Sequence, residues 1–91
     1  GKAFKPVEGN TGTKAADLFV LEDQGTYYLA VFNYTQNPEQ RQIDLKRAGI
    51  PVQDGASVQV TDLWTGEKVT AGAMLNVTLK SAESKLYQIS P

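Results

Sequence analysis

Leu75-Asn76-Val77-Thr78-Leu79-Lys80 alternates apolar and polar side chains with a period of two. An extended chain sends successive side chains to opposite faces, so this run buries Leu75, Val77 and Leu79 and leaves the other three in water. A helix would scatter the same residues around its circumference. Working outward, Ile43 and Leu45 alternate with Gln42, Asp44 and Lys46, and Val58 and Val60 alternate with Ser57, Gln59 and Thr61. Each run predicts a half-buried strand, and together they predict an all-β chain.

Two segments lack alternation. Leu18-Phe19-Val20-Leu21 and Tyr27-Tyr28-Leu29-Ala30-Val31-Phe32 are apolar on both parities, the pattern of neighbouring central strands covered on both faces. Glu22-Asp23-Gln24-Gly25 between them makes a polar hairpin turn. The second strand ends at Asn33-Tyr34-Thr35, and residues 36–40, with Pro38 unable to donate to a ladder, read as a loop. Lys46-Arg47-Ala48-Gly49 suits one helical turn closed by Gly49, and no longer helix is expected. Trp64-Thr65-Gly66-Glu67 forms a hairpin into Lys68-Val69-Thr70, Ala71-Gly72-Ala73 turns again, and Leu86-Tyr87-Gln88-Ile89 closes the fold. Phe4 to Val7 adds an edge strand. Short strands at this spacing imply an antiparallel sandwich or barrel of seven or eight strands. Residues 1–91 are expected to form a single domain, of which 1–16 is the least regular part.

Composition mainly excludes. The 91 residues hold no Cys and no His, and Lys+Arg 9 against Asp+Glu 10 gives a net charge of −1. Thiol nucleophile, imidazole base, disulfide framework and the soft and borderline metal ligands are therefore absent, and no cofactor is expected. Nucleic acid is not an expected partner, because no basic surplus is present to neutralise phosphates. The longest apolar stretch, residues 27–32, is far short of the roughly 20 residues that cross a bilayer as a helix. No membrane partner is expected.

The carboxylates are the remaining candidates for chemistry, since a facing pair hydrolyses glycosides without His or Cys. Glu22, Asp23, Glu39, Asp54 and Glu67 all sit at predicted turns, where turn formation and solubility account for them. Gly9-Asn10-Thr11-Gly12 lacks the Lys and the strand-to-helix setting of a phosphate loop. No catalytic residue is assigned. Asn33-Tyr34-Thr35 and Asn76-Val77-Thr78 match the N-glycosylation acceptor pattern, although Asn76 also reads simply as the wet side of its strand. Tyr27, Tyr28, Tyr34, Trp64 and Tyr87 are rings that either fill a core or stack on sugars; Trp64, beside a turn, is the one placed least firmly in a core.

The run Val58-Gln59-Val60-Thr61-Asp62-Leu63-Trp64-Thr65-Gly66-Glu67 resembles the D-L-W-T-G-E hairpin in the C-terminal β domain of melibiase-type α-galactosidases. Tyr28 to Asn33, Ile43 to Leu45 with Ala48 to Ile50, Leu75 to Leu79, and Leu86 to Ile89 are similar to that domain's other strands, so the resemblance spans Thr26 to Pro91. Two departures stand out: Ser81-Ala82-Glu83-Ser84-Lys85, where the family has a small turn ending in Gly, and the polar 36–42 segment. The resemblance implies an antiparallel β-sandwich of seven or eight strands, Greek-key-like, that is the C-terminal accessory domain of a glycoside hydrolase. It implies that the catalytic residues lie on a (β/α)8 barrel of the same polypeptide, about 250 further residues, which is the expected partner. The compartment is left open, and a secreted or periplasmic parent is compatible with it.

Within the hairpin, Asp62 is expected to accept hydrogen bonds from backbone N–H groups, Thr65 and Gly66 to make the reversal, and Leu63 and Trp64 to project to opposite sides and supply an interdomain interface. By parity Val58, Val60 and Asp62 share a face, so burying Leu63 with the valines would require a bulge near Thr61. The rival readings are a carbohydrate-binding module, with weak sugar contact through surface aromatics, and an immunoglobulin-like adhesion or linker domain.

Overall fold

The computed structural model describes residues 3–7 and 16–91. Gly9-Asn10-Thr11-Gly12 and most of the stretch expected to be irregular lie outside the described residues. Eight strands are seen among those described: β1 (Lys5–Pro6), β2 (Leu18–Asp23), β3 (Thr26–Phe32), β4 (Glu39–Asp44), β5 (Val58–Asp62), β6 (Lys68–Ala71), β7 (Met74–Leu79) and β8 (Ser84–Ser90). They form a six-stranded sheet in the order β1-β2-β3-β8-β5-β6 and a two-stranded sheet β4-β7, with every pairing antiparallel. The fold is an all-β sandwich, one of the two architectures that the periodicity allows and the one that the family resemblance implies. β8 returns to lie beside β5, the first of the four strands β5 to β8, which is the long return of a Greek key with β7 moved to the opposite sheet. No helix among the described residues is long and apolar enough to cross a membrane.

Turn chemistry sets the registers. Between β2 and β3 the loop is only Gln24-Gly25, with φ of 52° and 83°. Positive φ at both positions is the signature of a type I′ turn, which matches the twist of the flanking strands and favours Gly at the second position. The Glu22 carboxylate accepts from the Gly25 amide at 3.0 Å. After β4, the Asp44 carboxylate accepts from the Arg47 amide at 3.1 Å and the Asp44 carbonyl accepts from Ala48 at 3.1 Å, one helical turn with an N-cap. Gly49 closes it, as the sequence predicts, and the Ile50 amide reaches back to the Leu45 carbonyl at 2.9 Å. At the 81–85 departure, Ala82 holds a φ of 58°. The turn thus keeps the left-handed conformation a Gly would take without strain, at a cost of about 1 kcal/mol for the Cβ.

The core lies between the sheets. Leu29, Val31, Val60 and Ile89 from the large sheet join Ile43, Leu75, Val77 and Leu79 from the small one in a single buried cluster, which Leu45, Ile50 and Val52 of the connecting segments close. Polar neighbours of the alternating strands face out, as predicted.

Three expectations are corrected. β4 begins at Glu39, within the segment read as loop, because its pairing with β7 continues from Ile43↔Leu75 out to Glu39↔Leu79. Glu39 and Gln40 are polar because an edge strand carries polar side chains without penalty. Secondly, β2 and β3 are not covered on both faces: Phe19, Leu21, Tyr28, Ala30 and Phe32 are only half-buried. Thirdly, Tyr34, at a predicted strand end where rings most often fill a core, is 59% exposed, so of the roles open to it the core is excluded.

Tyr87, 8% exposed, yields a pH prediction. Burial first, then the negative charges of Asp62, Glu83 and Glu67, push its phenol up to about 12. The folded value stands above the unfolded value of about 10, so the stabilisation is complete below pH 10 and is lost as pH rises through 12. A loss on the order of 1–2 kcal/mol is expected across that window. Urea midpoints at pH 9, 10.5 and 11.5 test it: in Tyr87→Phe the decline should flatten, and an unchanged decline would place its cause elsewhere.

Candidate functional site

The outer face of the large sheet carries the features the core does not use. Register places Phe19 opposite Ala30, Ala30 opposite Leu86, and Phe32 opposite Ser84. Leu18, Val31 and Leu29, one residue out of phase with these, point into the core. The outer row is therefore apolar, and among the described residues no second sheet covers it. Phe19 meets Phe32 edge-on at 5.8 Å and 87°, and Phe32 stacks on Tyr34 at 5.7 Å and 16°. Phe4, Phe19, Ala30, Phe32, Trp64 and Leu86, with Ser84 and Lys85 of β8, line an open groove of about 390 Å³.

One wall of this groove is positioned by the β5–β6 hairpin. Asp62 Oδ1 accepts from the amides of Trp64 at 2.8 Å and Thr65 at 3.2 Å, an Asx turn. The Gly66 amide donates to the Asp62 carbonyl at 2.7 Å with Gly66 at φ 80°, and the Thr65 hydroxyl accepts from the Glu67 amide at 3.1 Å. Asp62, Thr65 and Gly66 thus carry the reversal from β5 into β6. The register of β5 on β8 runs unbroken from Gln59↔Ser90 to Asp62↔Tyr87, and the Leu63 amide extends it to the Leu86 carbonyl at 2.9 Å. Parity therefore persists: Asp62 is buried beside Val58 and Val60, there is no bulge, and Leu63 stays 39% exposed. Trp64 is 63% exposed, and its indole N–H donates to the Ser84 carbonyl at 3.1 Å. That bond lays the ring across β8 at the groove's edge.

Near the same end of the sheet lies a polar node that the sequence reading did not foresee. Asn33 is 2% exposed. Its Nδ2 donates to the carbonyls of Asn37 at 2.8 Å and Lys80 at 3.0 Å, while its Oδ1 accepts from the Thr35 amide at 2.9 Å and hydroxyl at 2.7 Å. The Asn-x-Thr spacing that matches the glycosylation acceptor pattern is here an Asx turn. Arg41 adds an inter-sheet clamp, meeting Asp17 at 3.1 and 3.3 Å.

The carboxylates are distributed rather than gathered. Register puts the Glu22-Asp23 turn at the Ser90 end of the large sheet and Glu67 at the Leu86 end. Asp54 is fully exposed and held by Lys46 at 2.6 Å; that hydrogen bond, and then the lysine's charge, keep its carboxyl below the usual value. A general acid needs the opposite shift. Among the described residues no cluster of three or more Asp or Glu stands where a metal ion could be held.

Solved structures share this architecture. The chain aligns over 81% of its length with a wild-type GH27 β-L-arabinopyranosidase from Geobacillus stearothermophilus at 24% identity and a TM-score of 0.71, covering 17% of that chain. It aligns over 84% with α-galactosidase I from Mortierella vinacea at 13% identity and a TM-score of 0.67, covering 21% of that chain. It aligns over 82% with an isomaltodextranase from Arthrobacter globiformis at 20% identity and a TM-score of 0.61, covering 12% of that chain. At these identities the likeness concerns the fold, and the chain spans a fifth or less of the length of most of these relatives. No curated protein sequence matches it. The family model for the alpha galactosidase C-terminal beta sandwich domain matches residues 16–89, and with four-fifths of its length so matched the chain belongs to that family.

Proposed function

We propose that the chain is the non-catalytic companion domain of an α-galactosidase-like glycoside hydrolase, and that the outer face of its large sheet seats it on the catalytic barrel of the same polypeptide. The observation that carries this is the aromatic groove with Trp64 in its wall, beside the exposed Leu63 of the same hairpin. A sheet face this apolar normally buries itself against another layer, and an interdomain contact of about 600–1,500 Å² is of the size that would cover it. The solved relatives bear names for different sugars, which supports a task common to all of them. Stabilisation of the barrel is such a task, and substrate choice is not.

The carbohydrate-module reading requires carboxylates or amides beside the rings to read hydroxyls. The groove is lined by Phe, Ala, Leu and Trp together with Ser84 and Lys85, it contains no carboxylate or side-chain amide, and its exposed surface is almost wholly apolar. Trp64 is the only Trp, so its fluorescence reports directly on the groove. The 91-residue chain is expected to hydrolyse no p-nitrophenyl α-galactoside and to show no saturable quenching with galactose, melibiose or galactomannan; turnover, or saturation, rejects the reading. Docking is tested by Leu63→Ala with Trp64→Ala. In the 91-residue chain, where both side chains are exposed, the pair should change stability by less than about 1 kcal/mol. In the full-length enzyme the same pair should lower the midpoint of barrel unfolding by several degrees. An unmoved barrel would exclude this face as the seat.

A further inference from the structure

Two sequence triplets carry the N-glycan acceptor pattern, and the structure separates them. In Asn33-Tyr34-Thr35 the acceptor nitrogen is committed to two carbonyls and the Thr35 hydroxyl to Asn33 itself. A glycan there would expel a buried side chain from the node that joins β3 to the 80–83 turn. Asn76-Val77-Thr78 has the contrary setting. β7 alternates with a period of two, so Asn76 and Thr78 stand exposed on one face while Val77 between them is buried. Asn76 lies opposite Gln42 and Thr78 opposite Gln40, and together with Arg41 and Val77 these residues border a shallow groove of about 400 Å³. Among the described residues no hydrogen bond engages the Asn76 amide or the Thr78 hydroxyl, so the acceptor nitrogen and the hydroxyl two residues on are both available from the same side.

The location adds a second argument. Val77 and Leu79 face the core from the small sheet, so Asn76 points away from it, on the side of the sandwich opposite the aromatic groove. A bulky, hydrated group at Asn76 would extend into solvent without touching the proposed seat. Solubilising surface modification is tolerated where the backbone is already paired and the side chain is free.

We infer that Asn76, and not Asn33, is the N-glycan acceptor of this chain whenever it is made in a compartment that holds an oligosaccharyltransferase and its polyprenyl diphosphate-linked donor. In that step the bond between Asn76 Nδ2 and the anomeric carbon forms and the bond from that carbon to the diphosphate oxygen breaks. The polyprenyl diphosphate leaves with the electron pair, and one Nδ2 proton passes to a base of the transferase. Only the argument from location rests on the docking reading; the side-chain setting of the two triplets does not.

Secretion of the 91-residue chain from a eukaryotic host, followed by intact mass and peptide mapping after enzymatic deglycosylation, tests it. The expected product is folded protein with a single N-glycan, the Asp left by deglycosylation falling at position 76. The glycan should disappear in Asn76→Gln and in Thr78→Val, both at exposed positions, with the far-UV spectrum unchanged. Secreted protein of bare mass overturns the inference, and so does folded protein with its glycan at Asn33.

Discussion

Asn33→Ala is expected to destabilise the chain by about 3 kcal/mol, because it deletes a buried side chain that makes four hydrogen bonds and leaves the carbonyls of Asn37 and Lys80 without those donors. Each bond contributes about 0.5–1.5 kcal/mol net, and an abandoned buried partner costs more than the bond was worth. Total stability for a domain of this size is about 5–10 kcal/mol, so the loss is a large fraction of it. The urea midpoint should fall by about 2 M at the slopes typical of small domains. Thr35→Val, which removes only the hydroxyl, should lie between wild type and Asn33→Ala. Asn33→Asp is no rescue: it keeps the acceptor for Thr35 but presents a negative charge to two carbonyl oxygens in a dry site. A loss below about 1 kcal/mol for Asn33→Ala would mean that the node merely records the loop conformation and does not hold it.

That node marks the boundary of what the residues disclose by themselves. The Asp62-to-Glu67 hairpin is legible because its determinants are local: an Asx acceptor, a hydroxyl two residues before an amide and a Gly at positive φ all lie within six residues. The Gln24-Gly25 reversal and the Gly49 stop are readable for the same reason. Asn33 is different, since one of its partners, Lys80, is distant in sequence and reaches it only after β8 has paired with β3. Its local half was visible, because Asn-x-Thr directly after an apolar strand is also an Asx-turn pattern, but the same three letters spell a glycan acceptor. Burial decided between the two meanings, and burial is a property of the assembled sheets.

The outer sheet face shows a similar limit. Apolar residues on both parities of β2 and β3 signal that both faces want cover, and the periodicity conveys no more than that. Among the described residues two strands, β4 and β7, form the second layer, and they cover one side. Phe19, Ala30 and Phe32 on the other side therefore carry a hydrophobic demand that the described residues do not meet. Parity arithmetic did better with Asp62 and Leu63: counting by twos from Val58 places the carboxylate inside and the leucine outside, and the structure keeps that count.

The weak link of the core is the two-stranded sheet, and Leu79→Ala is expected to expose it at a loss of about 3–4 kcal/mol. A hairpin-sized sheet has little stability in water by its own hydrogen bonds. What holds β4 and β7 in place is the row Leu75, Val77 and Leu79 with Ile43, inserted beneath the large sheet. Leu79 is fully buried and its Cα partner Glu39 is the first residue of β4, so truncation opens a cavity where the strand pair meets the incoming chain. Buried Leu→Ala changes cost about 2–5 kcal/mol, towards the upper part where the surroundings cannot collapse; here the neighbours are backbone-paired strands with little freedom to close in. Thr78→Ala, one residue away but on the wet face, should change stability by less than about 0.5 kcal/mol. Hydrogen exchange separates the layers: in Leu79→Ala, β4 and β7 amides should lose protection through openings smaller than global unfolding, while β3 and β8 amides follow the global loss. Equal protection in all four strands would mean that the sandwich opens as one unit and that the small sheet is not its first point of failure.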